Sequence, residues 1–275
     1  MANRQRTNGL AVLITGGTRG IGAAIAARLN KDGNRVFVTS RGGTASDGLP
    51  DGVECLQLDV RDAASVECCI AGVVERAGRI DAVVNNAGYD LIGALEDTPE
   101  AMFLDQMDTN FTGVMRVTRA VLPIMRAQAA GRIVQIGSLG GRLGLPLNSA
   151  YAASKFAVEG FTESLRLEAL PYGVFLSVIA PGAVATDTLD TSIVEATGGL
   201  PVYAGRHGKM RTFMQTSGRQ SRTSPADVAA MVARVLATPR PSLRYAVGGQ
   251  ARMLPFLKAV MPQRPFERML TRILP

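Results

Sequence analysis

The residues Thr15-Gly16-Gly17-Thr18-Arg19-Gly20-Ile21-Gly22 decide the fold. Behind them lies the apolar run Leu10 to Thr15, short enough for a buried strand, and ahead an amphipathic stretch to about Leu29 that reads as a helix. A glycine turn between a strand and a helix lets the backbone come close to an anion. The helix N-terminus then offers it free N–H groups and the positive end of the helix dipole. An ordinary Gly-rich turn has a similar composition, so it is the flanking strand and helix that make this one a candidate pyrophosphate cradle.

Outward from that turn the rhythm repeats. Arg35 to Ser40, Val53 to Leu58, Asp81 to Asn85, Arg132 to Gly137, Val174 to Ala180 and Leu243 to Val247 are further apolar runs, and most segments between them are long enough for a crossover helix. Seven strands joined this way predict an α/β fold, a doubly wound seven-stranded parallel sheet with helices on both faces. Residues 186–222 break the pattern: the stretch is rich in Thr, Gly and Ser, carries apolar residues from Leu189 to Met214, and reads as a substrate lid. No repeat, low-complexity tract or linker divides the chain, so residues 1–275 are expected to form a single domain.

Composition narrows the function classes. The 275 residues are 47% hydrophobic, which suits a globular chain with a well-buried core. Met1 to Gly9 is polar and Leu10 to Thr15 is too short for a signal peptide, so a cytoplasmic location is expected. Cys55, Cys68 and Cys69 form no Cys-x-x-Cys or Cys/His grouping; they are read as buried thiols, and no metal site is expected. The net charge of +7 fits a phosphate-bearing cofactor, an acidic partner or an anionic surface. With no long basic run, no zinc-finger spacing and no Trp, a nucleic-acid partner is not expected.

A site for NAD usually places an acidic residue roughly 20 residues past the glycines, where it meets the ribose hydroxyls. Here Ser40-Arg41 stands at that point. Arg41 offers a planar, permanently charged fork to a 2′-phosphate, and Arg19 approaches the same group from within the glycine turn, which argues for NADP(H). The plainer reading leaves both as solvated charges. Asp59, after the third strand, suits either the adenine amino group or a helix cap. Asn85-Asn86-Ala87-Gly88 ends the fourth strand, where ligands of open α/β sheets bind, although a polar turn has the same composition.

Ser138 ends the fifth strand, and Tyr151-Ala152-Ala153-Ser154-Lys155 opens a helix in which Tyr151 and Lys155, four apart, share one face. Reduction of a carbonyl needs a proton donor to the developing alkoxide, and a tyrosine of pKa about 10 is poorly matched to neutral pH. An ammonium at Lys155 would lower that pKa, while the Ser138 hydroxyl would hydrogen-bond the substrate oxygen. Singly, each residue has a bland explanation as turn residue, helix aromatic or solvated charge. Together, at the carboxyl edge of the same sheet as the glycine turn, they form a constellation.

Thr15 to Gly22, Asn85 to Gly88, Asn110, Ser138, Tyr151, Lys155 and Pro181-Gly182 with Thr186 resemble the motif series of the short-chain dehydrogenase/reductase family, over nearly the whole chain. The resemblance implies a Rossmann fold and a catalytic set of Ser138, Tyr151, Lys155 and Asn110, with Asn110 in a proton relay through water to Lys155. It implies NADP(H) contacts from Gly16, Thr18, Arg19, Gly20, Ile21, Gly22, Ser40, Arg41, Asp59, Val60, Asn86, Ala87, Gly88, Tyr151, Lys155, Pro181, Gly182, Val184 and Thr186. It also implies a homodimer or homotetramer. Asn85 to Gly93, Phe161 to Glu168 and the segment from Arg244 onward are similar to members related to 17β-hydroxysteroid and retinol dehydrogenases, so a hydrophobic carbonyl or alcohol substrate is expected. A 3-oxoacyl-carrier-protein reductase is the rival within the family, and a non-catalytic NADP(H) sensor or partner-binding protein the rival outside it.

Residues 250–275 interleave apolar side chains with Arg252, Lys258, Arg264, Arg268 and Arg272. The segment reads either as a cover over the lid or a neighbouring subunit, or as an amphipathic helix on an anionic membrane; Pro255, Pro262 and Pro265 are expected to prevent one long helix. His207, the only histidine, reads as a surface residue.

Overall fold

The structure, a computed structural model, describes residues 9–44, 48–186 and 192–274. Its main sheet holds seven parallel strands: β1 (Ala11–Ile14), β2 (Arg35–Ser40), β3 (Glu54–Gln57), β4 (Ala82–Asn85), β6 (Gly131–Ile136), β7 (Val174–Pro181) and β9 (Arg244–Val247), in the order β3-β2-β1-β4-β6-β7-β9. All seven fall within the expected runs to one or two residues at each end, the range over which strand ends fray. Between β1 and β4 the winding reverses, which leaves a crevice at the carboxyl ends of those strands.

Residue alternation along the strands fills both faces. Val12, Ile14, Val36, Val38 and Val84 face helices α1 (Gly20–Lys31) and α7 (Pro225–Ala237) through Ile25, Leu29, Val228 and Val232. Leu13, Phe37 and Val83 face the other way, into a core shared with α2 (Ala63–Ala77) and α4 (Gly113–Ala127) through Val66, Ile70, Val117 and Val121. Strands buried on both sides are why the sequence reads as continuous apolar runs rather than as alternation. Ser224 and Asp227 form a reciprocal capping box at the start of α7, with Pro225 in its first turn, and Asp62 caps α2 through the Ala64 N–H.

Two short strands were not legible in the sequence. β5 (Asp90–Ile92) pairs in parallel with β8 (Ile193–Glu195), through Asp90 with Ile193 and Leu91 with Val194. Between them lie α3 (Glu100–Met107), a π-turn at Asp108–Thr112, and α5 (Ser149–Ala169). The expected lid carries its own helix, α6 (Pro201–Arg219), while Leu189 lies outside the described residues.

The segment after β9 forms two helices, α8 (Gly249–Val260) and α9 (Gln263–Ile273). Pro262 separates them, as expected, but Pro255 does not: it lies inside α8. Pro265 sits in the first turn of α9, where a backbone N–H has no intrahelical acceptor to lose. Lys258 in α8 donates to the Arg142 carbonyl at 2.9 Å, and its ammonium lies 5.4 Å from the Phe156 ring centre, so this helix packs beside the loop that follows Ser138. Cys69 is buried and Cys55 half-buried as expected, whereas Cys68 is exposed because it lies on the outer face of α2. Among the described residues no helix is long and apolar enough to cross a membrane, and no cluster of metal-binding side chains occurs.

Candidate active site

The glycine turn and the loop after β4 are locked together at the crevice. Thr15 Oγ1 accepts from the backbone N–H groups of Asn86 and Ala87, both at 3.0 Å, and Asn86 Nδ2 donates to the carbonyls of Thr15 and Gly16 at 3.0 and 2.9 Å. Gly16 has φ +62°, in the region that favours glycine, and a Cβ on it would meet the Ala87 Cα at 3.0 Å. A Cβ on Gly22 would run into the Gly16 carbonyl and stand 2.7 Å from Asn86 Nδ2. Helix α1 therefore starts hard against the turn. No side chain caps it and no acidic residue stands in its first turn, so an anion is met by N–H groups rather than by carboxylates. Those features fit the pyrophosphate of a dinucleotide.

At the end of β2, Ser40 is half-buried and Arg41 exposed; Arg19 is exposed in the glycine turn. Asp59 is already engaged: both carboxylate oxygens accept from the Arg61 guanidinium, at 2.9 Å for the closest pair, and that hydrogen bonding holds its pKa below the usual carboxylate range. Arg41 is near enough to pull it down further. The helix-capping role weighed for Asp59 belongs to Asp62 instead. Val60 is buried with its side chain against Gly113, a packed position beside the crevice. Pro181 ends β7, and Gly182, Val184 and Thr186 follow it, with Val184 buried; the Gly182 N–H donates to the Val247 carbonyl at 3.0 Å.

Ser138, Tyr151 and Lys155 come together where β6 ends and α5 begins. The Ser138 hydroxyl and the Tyr151 ring both lie against Gly140, and Ser138 acts on the phenol to favour its ionised form. The Ser138 Oγ also accepts the Gly140 N–H at 3.0 Å, which fixes its rotamer. Lys155 Nζ lies 5.7 Å from the Tyr151 ring centre and donates to the Ile136 carbonyl at 2.9 Å. Burial pushes the Lys155 pKa down to about 8, and burial together with the Asp90 carboxylate pushes that of Tyr151 up, opposed by Ser138. Desolvation of the phenolate dominates, and the expected lowering of the Tyr151 pKa by Lys155 does not register beside it.

Asn110 sits in the π-turn between α3 and α4, a bulge that turns its side chain inward. Its Oδ1 accepts the Tyr89 N–H at 3.1 Å, and its Nδ2 donates to the Tyr89 carbonyl at 2.9 Å and to Ser154 Oγ at 3.2 Å. That places it one residue from Lys155, and its Oδ1 would crowd a Cβ on Gly88.

Sequence reasoning missed Asp90 and Asn148. Asn148 precedes α5, is buried, and donates through Nδ2 to Asp90 Oδ1 at 2.6 Å and to the Leu91 carbonyl at 3.3 Å. Burial raises the Asp90 pKa to about 6, against the pull of Asn148 and Lys155. No spacing pattern announces this pair, because its partners lie 58 residues apart.

His207 is a correction. It is buried, not on the surface: its Nε2 accepts the Ala94 N–H at 3.2 Å, its Nδ1 lies 3.5 Å from Asp97 Oδ2, and its ring stacks on Tyr203. Asp97 in turn accepts the Leu200 N–H at 2.7 Å. The histidine ties α6 to the loop after β5 and stands apart from Tyr151.

Residues 10–195 match the family described as short chain dehydrogenase. Among curated proteins, the chain is 35% identical over 244 residues to 3-ketodihydrosphingosine reductase from Bacteroides thetaiotaomicron, covering 88% of this chain and 89% of that protein. It is 37% identical over 269 residues to 17-beta-hydroxysteroid dehydrogenase type 1 from Homo sapiens, covering 90% and 79%. Among solved structures, a short-chain dehydrogenase from Streptomyces avermitilis superposes with a TM-score of 0.82 at 34% identity, covering 98% of this chain and 96% of that one. The chain belongs to the short chain dehydrogenase family of oxidoreductases, which bind a nicotinamide cofactor, and within it to the hydroxysteroid- and retinol-dehydrogenase-like subgroup.

Proposed function

We propose that this oxidoreductase uses NADP(H) to interconvert a ketone or aldehyde and an alcohol on a hydrophobic substrate, with Tyr151 as general acid and base. The observation that carries the reading is the grouping of Ser138 and Tyr151 against Gly140, with Lys155 one helical turn on and its Nζ 5.7 Å from the Tyr151 ring centre, at the sheet edge that also holds the glycine turn. The similarity to two proteins named for lipophilic substrates, a steroid and a ketosphingoid, supports the substrate class.

When bound, the nicotinamide supplies or receives the hydride at the substrate carbon. In reduction the Tyr151 hydroxyl gives its proton to the substrate oxygen, and in oxidation it takes that proton back. Ser138 donates a hydrogen bond to the same oxygen and holds it at the phenol. Lys155, buried and tied to the Ile136 carbonyl, sets a positive charge beside the phenol below about pH 8 and helps hold the nicotinamide ribose. Asn110, through Ser154 and the Tyr89 backbone, positions the helix turn that carries Lys155 and joins a water relay to it.

The preference for NADP(H) rests on Arg41 and Arg19, and on the absence of a carboxylate at Ser40-Arg41. Ser40 and Val60 flank the adenosine; Asn86, Ala87 and Gly88 back the nicotinamide ribose; and Pro181, Gly182, Val184 and Thr186 hold the carboxamide. The chain works as one domain, with residues 186–222 as lid, in a cytoplasmic homodimer or homotetramer.

The test is a fluorescence titration of NADPH against NADH, with wild type and Arg41→Ala, followed by turnover of a ketone and alcohol panel. NADPH should bind about 10- to 100-fold more tightly than NADH in the wild type, and Arg41→Ala should remove most of that difference, the size expected for lost charge-assisted hydrogen bonds. Equal binding of the two cofactors by the wild type would overturn the NADP(H) assignment.

A further inference from the structure

Asp90 is a carboxylate beside the proposed reaction centre that sequence reasoning did not single out. It lies at the start of β5, beside the N-terminal turn of α5 that carries Tyr151, and its charge bears on both Tyr151 and Lys155. Its charge opposes formation of the tyrosinate and favours the Lys155 ammonium, but keeping that charge costs desolvation of the carboxylate, which asks for a partner. Its structural task is modest: Oδ1 accepts from Asn148 Nδ2 at 2.6 Å, which ties β5 to the residue before α5. A neutral acceptor would do that equally well.

The second oxygen is the informative one. Among the described residues the Asp90 carboxylate has no other hydrogen-bond partner, and Oδ2 is not one of their sealed, orphaned buried atoms. Asn148 stands three residues before Tyr151, so this unengaged oxygen lies in the neighbourhood where the reading proposed above puts the substrate carbonyl. A carboxylate oxygen accepts only; what it takes is a donor.

We propose that Asp90 is a specificity residue: its open oxygen accepts a hydrogen bond from a hydroxyl or protonated amine that the substrate carries near its carbonyl, so that hydroxy- and amino-ketones are preferred over plain ketones. This rests on Ser138, Tyr151 and Lys155 being the reaction centre. A substrate donor there repays the desolvation of the carboxylate, and a plain ketone leaves it unpaired in a closed site, which is the condition under which polar sites discriminate strongly.

Three ketones with the same alkyl tail test it: a methyl ketone, a hydroxymethyl ketone and an aminomethyl ketone. Their kcat/KM values are compared in wild type, Asp90→Asn and Asp90→Ala with saturating NADPH, and their binding to the NADP(H)-loaded protein is measured in parallel by calorimetry. The wild type should favour the hydroxymethyl compound by roughly 10-fold and the aminomethyl compound by roughly 10- to 100-fold over the methyl ketone, the range for hydrogen bonds to a charged group. Asp90→Asn should lose the extra preference for the amine, and in Asp90→Ala both ratios should fall to about one. A purely structural role would lower all three substrates together and leave the ratios intact; that result, or flat ratios in the wild type, overturns the proposal. Tyr151→Phe separates the two readings. If it abolishes turnover while the wild-type ratios are flat, only Asp90 was misassigned; if it leaves turnover intact, the reaction centre was, and the calorimetric ratios still judge Asp90.

Discussion

Around the glycine turn, neighbouring segments are fixed by small residues and apolar strands packed too closely to move. Gly16 and Gly22 leave room for the backbone of Ala87 and for the Asn86 amide, and β1 is buried along its whole length. Across the proposed lid the same chain is held by charged and polar side chains: Asp97 to Leu200 and His207 and Glu96 to Tyr203, each more than 100 residues apart, and Glu195 to Arg211 within the segment. The first region is built to hold one geometry for a rigid, anionic ligand. In the second, a buried anchor at Asp97 and His207 is flanked by exposed pairs, Glu96 with Tyr203 and Glu195 with Arg211, that exchange with water at low cost, as the proposed admission of substrate requires. Rigid positioning and adjustable closure thus reside in different chemistries on one sheet edge.

The strongest way to break that division is at Tyr151. Tyr151→Phe removes one hydroxyl from the rigid side and should lower kcat/KM by about 10²- to 10⁴-fold, the usual worth of a positioned general acid, with NADPH affinity changed no more than several-fold. Steady-state kinetics and a cofactor titration on the same preparation decide it. Activity within 10-fold of wild type would place the proton donor elsewhere.

Gly22→Ala probes the rigidity itself. The added methyl meets the Gly16 carbonyl and Asn86 Nδ2 with no flexible side chain to give way, so the cost should be about 1–3 kcal/mol, as for overpacking elsewhere, read as a lower midpoint in denaturant. Cofactor affinity should fall with it. A variant as stable as wild type would mean that the turn is softer than its contacts imply.

The two regions also differ in how well the sequence announced them. The seven main strands and the positions of Ser138, Tyr151 and Lys155 are legible because apolar runs, glycines and helical spacing are local signals, each read within about a dozen residues. β5 and β8 are three residues each, and β5 opens on the half-buried Asp90, so neither makes a run. His207 reads as a surface residue for the same reason: its burial depends on Asp97 and the Ala94 N–H, more than 100 residues upstream. Pro255 misled in the opposite direction, since a local rule about proline gave way to packing of α8 against the loop after Ser138.

Asp97→Ala tests the lid side. It strips the Leu200 N–H of its acceptor and leaves His207 Nδ1 facing nothing, which should cost about 1–3 kcal/mol locally. If the proposed lid opens separately from the sheet core, the loss shows as faster hydrogen exchange over residues 193–219 and a several-fold higher KM, with exchange in β1 and β4 unchanged. Uniform acceleration across the chain would mean that lid and core open as one unit and that the contrast between them is false.

The smallest effect is expected where the two regions meet. Asp90 starts the strand that pairs with β8 of the proposed lid segment, yet its carboxylate bears on Tyr151 and Lys155 of α5 and accepts from the uncharged Asn148. Its negative charge raises the pKa of both: it disfavours the tyrosinate and favours the ammonium. Reduction needs the phenol protonated and the lysine charged, so activity is lost on the alkaline side as either group gives up its proton. Asp90→Asn removes the charge and keeps the shape, and both pKa values then fall. The alkaline limb of kcat/KM for a plain ketone should therefore move to lower pH, and a limb that stays in place would show that the lid-side strand holds the reaction centre in position without tuning its charge.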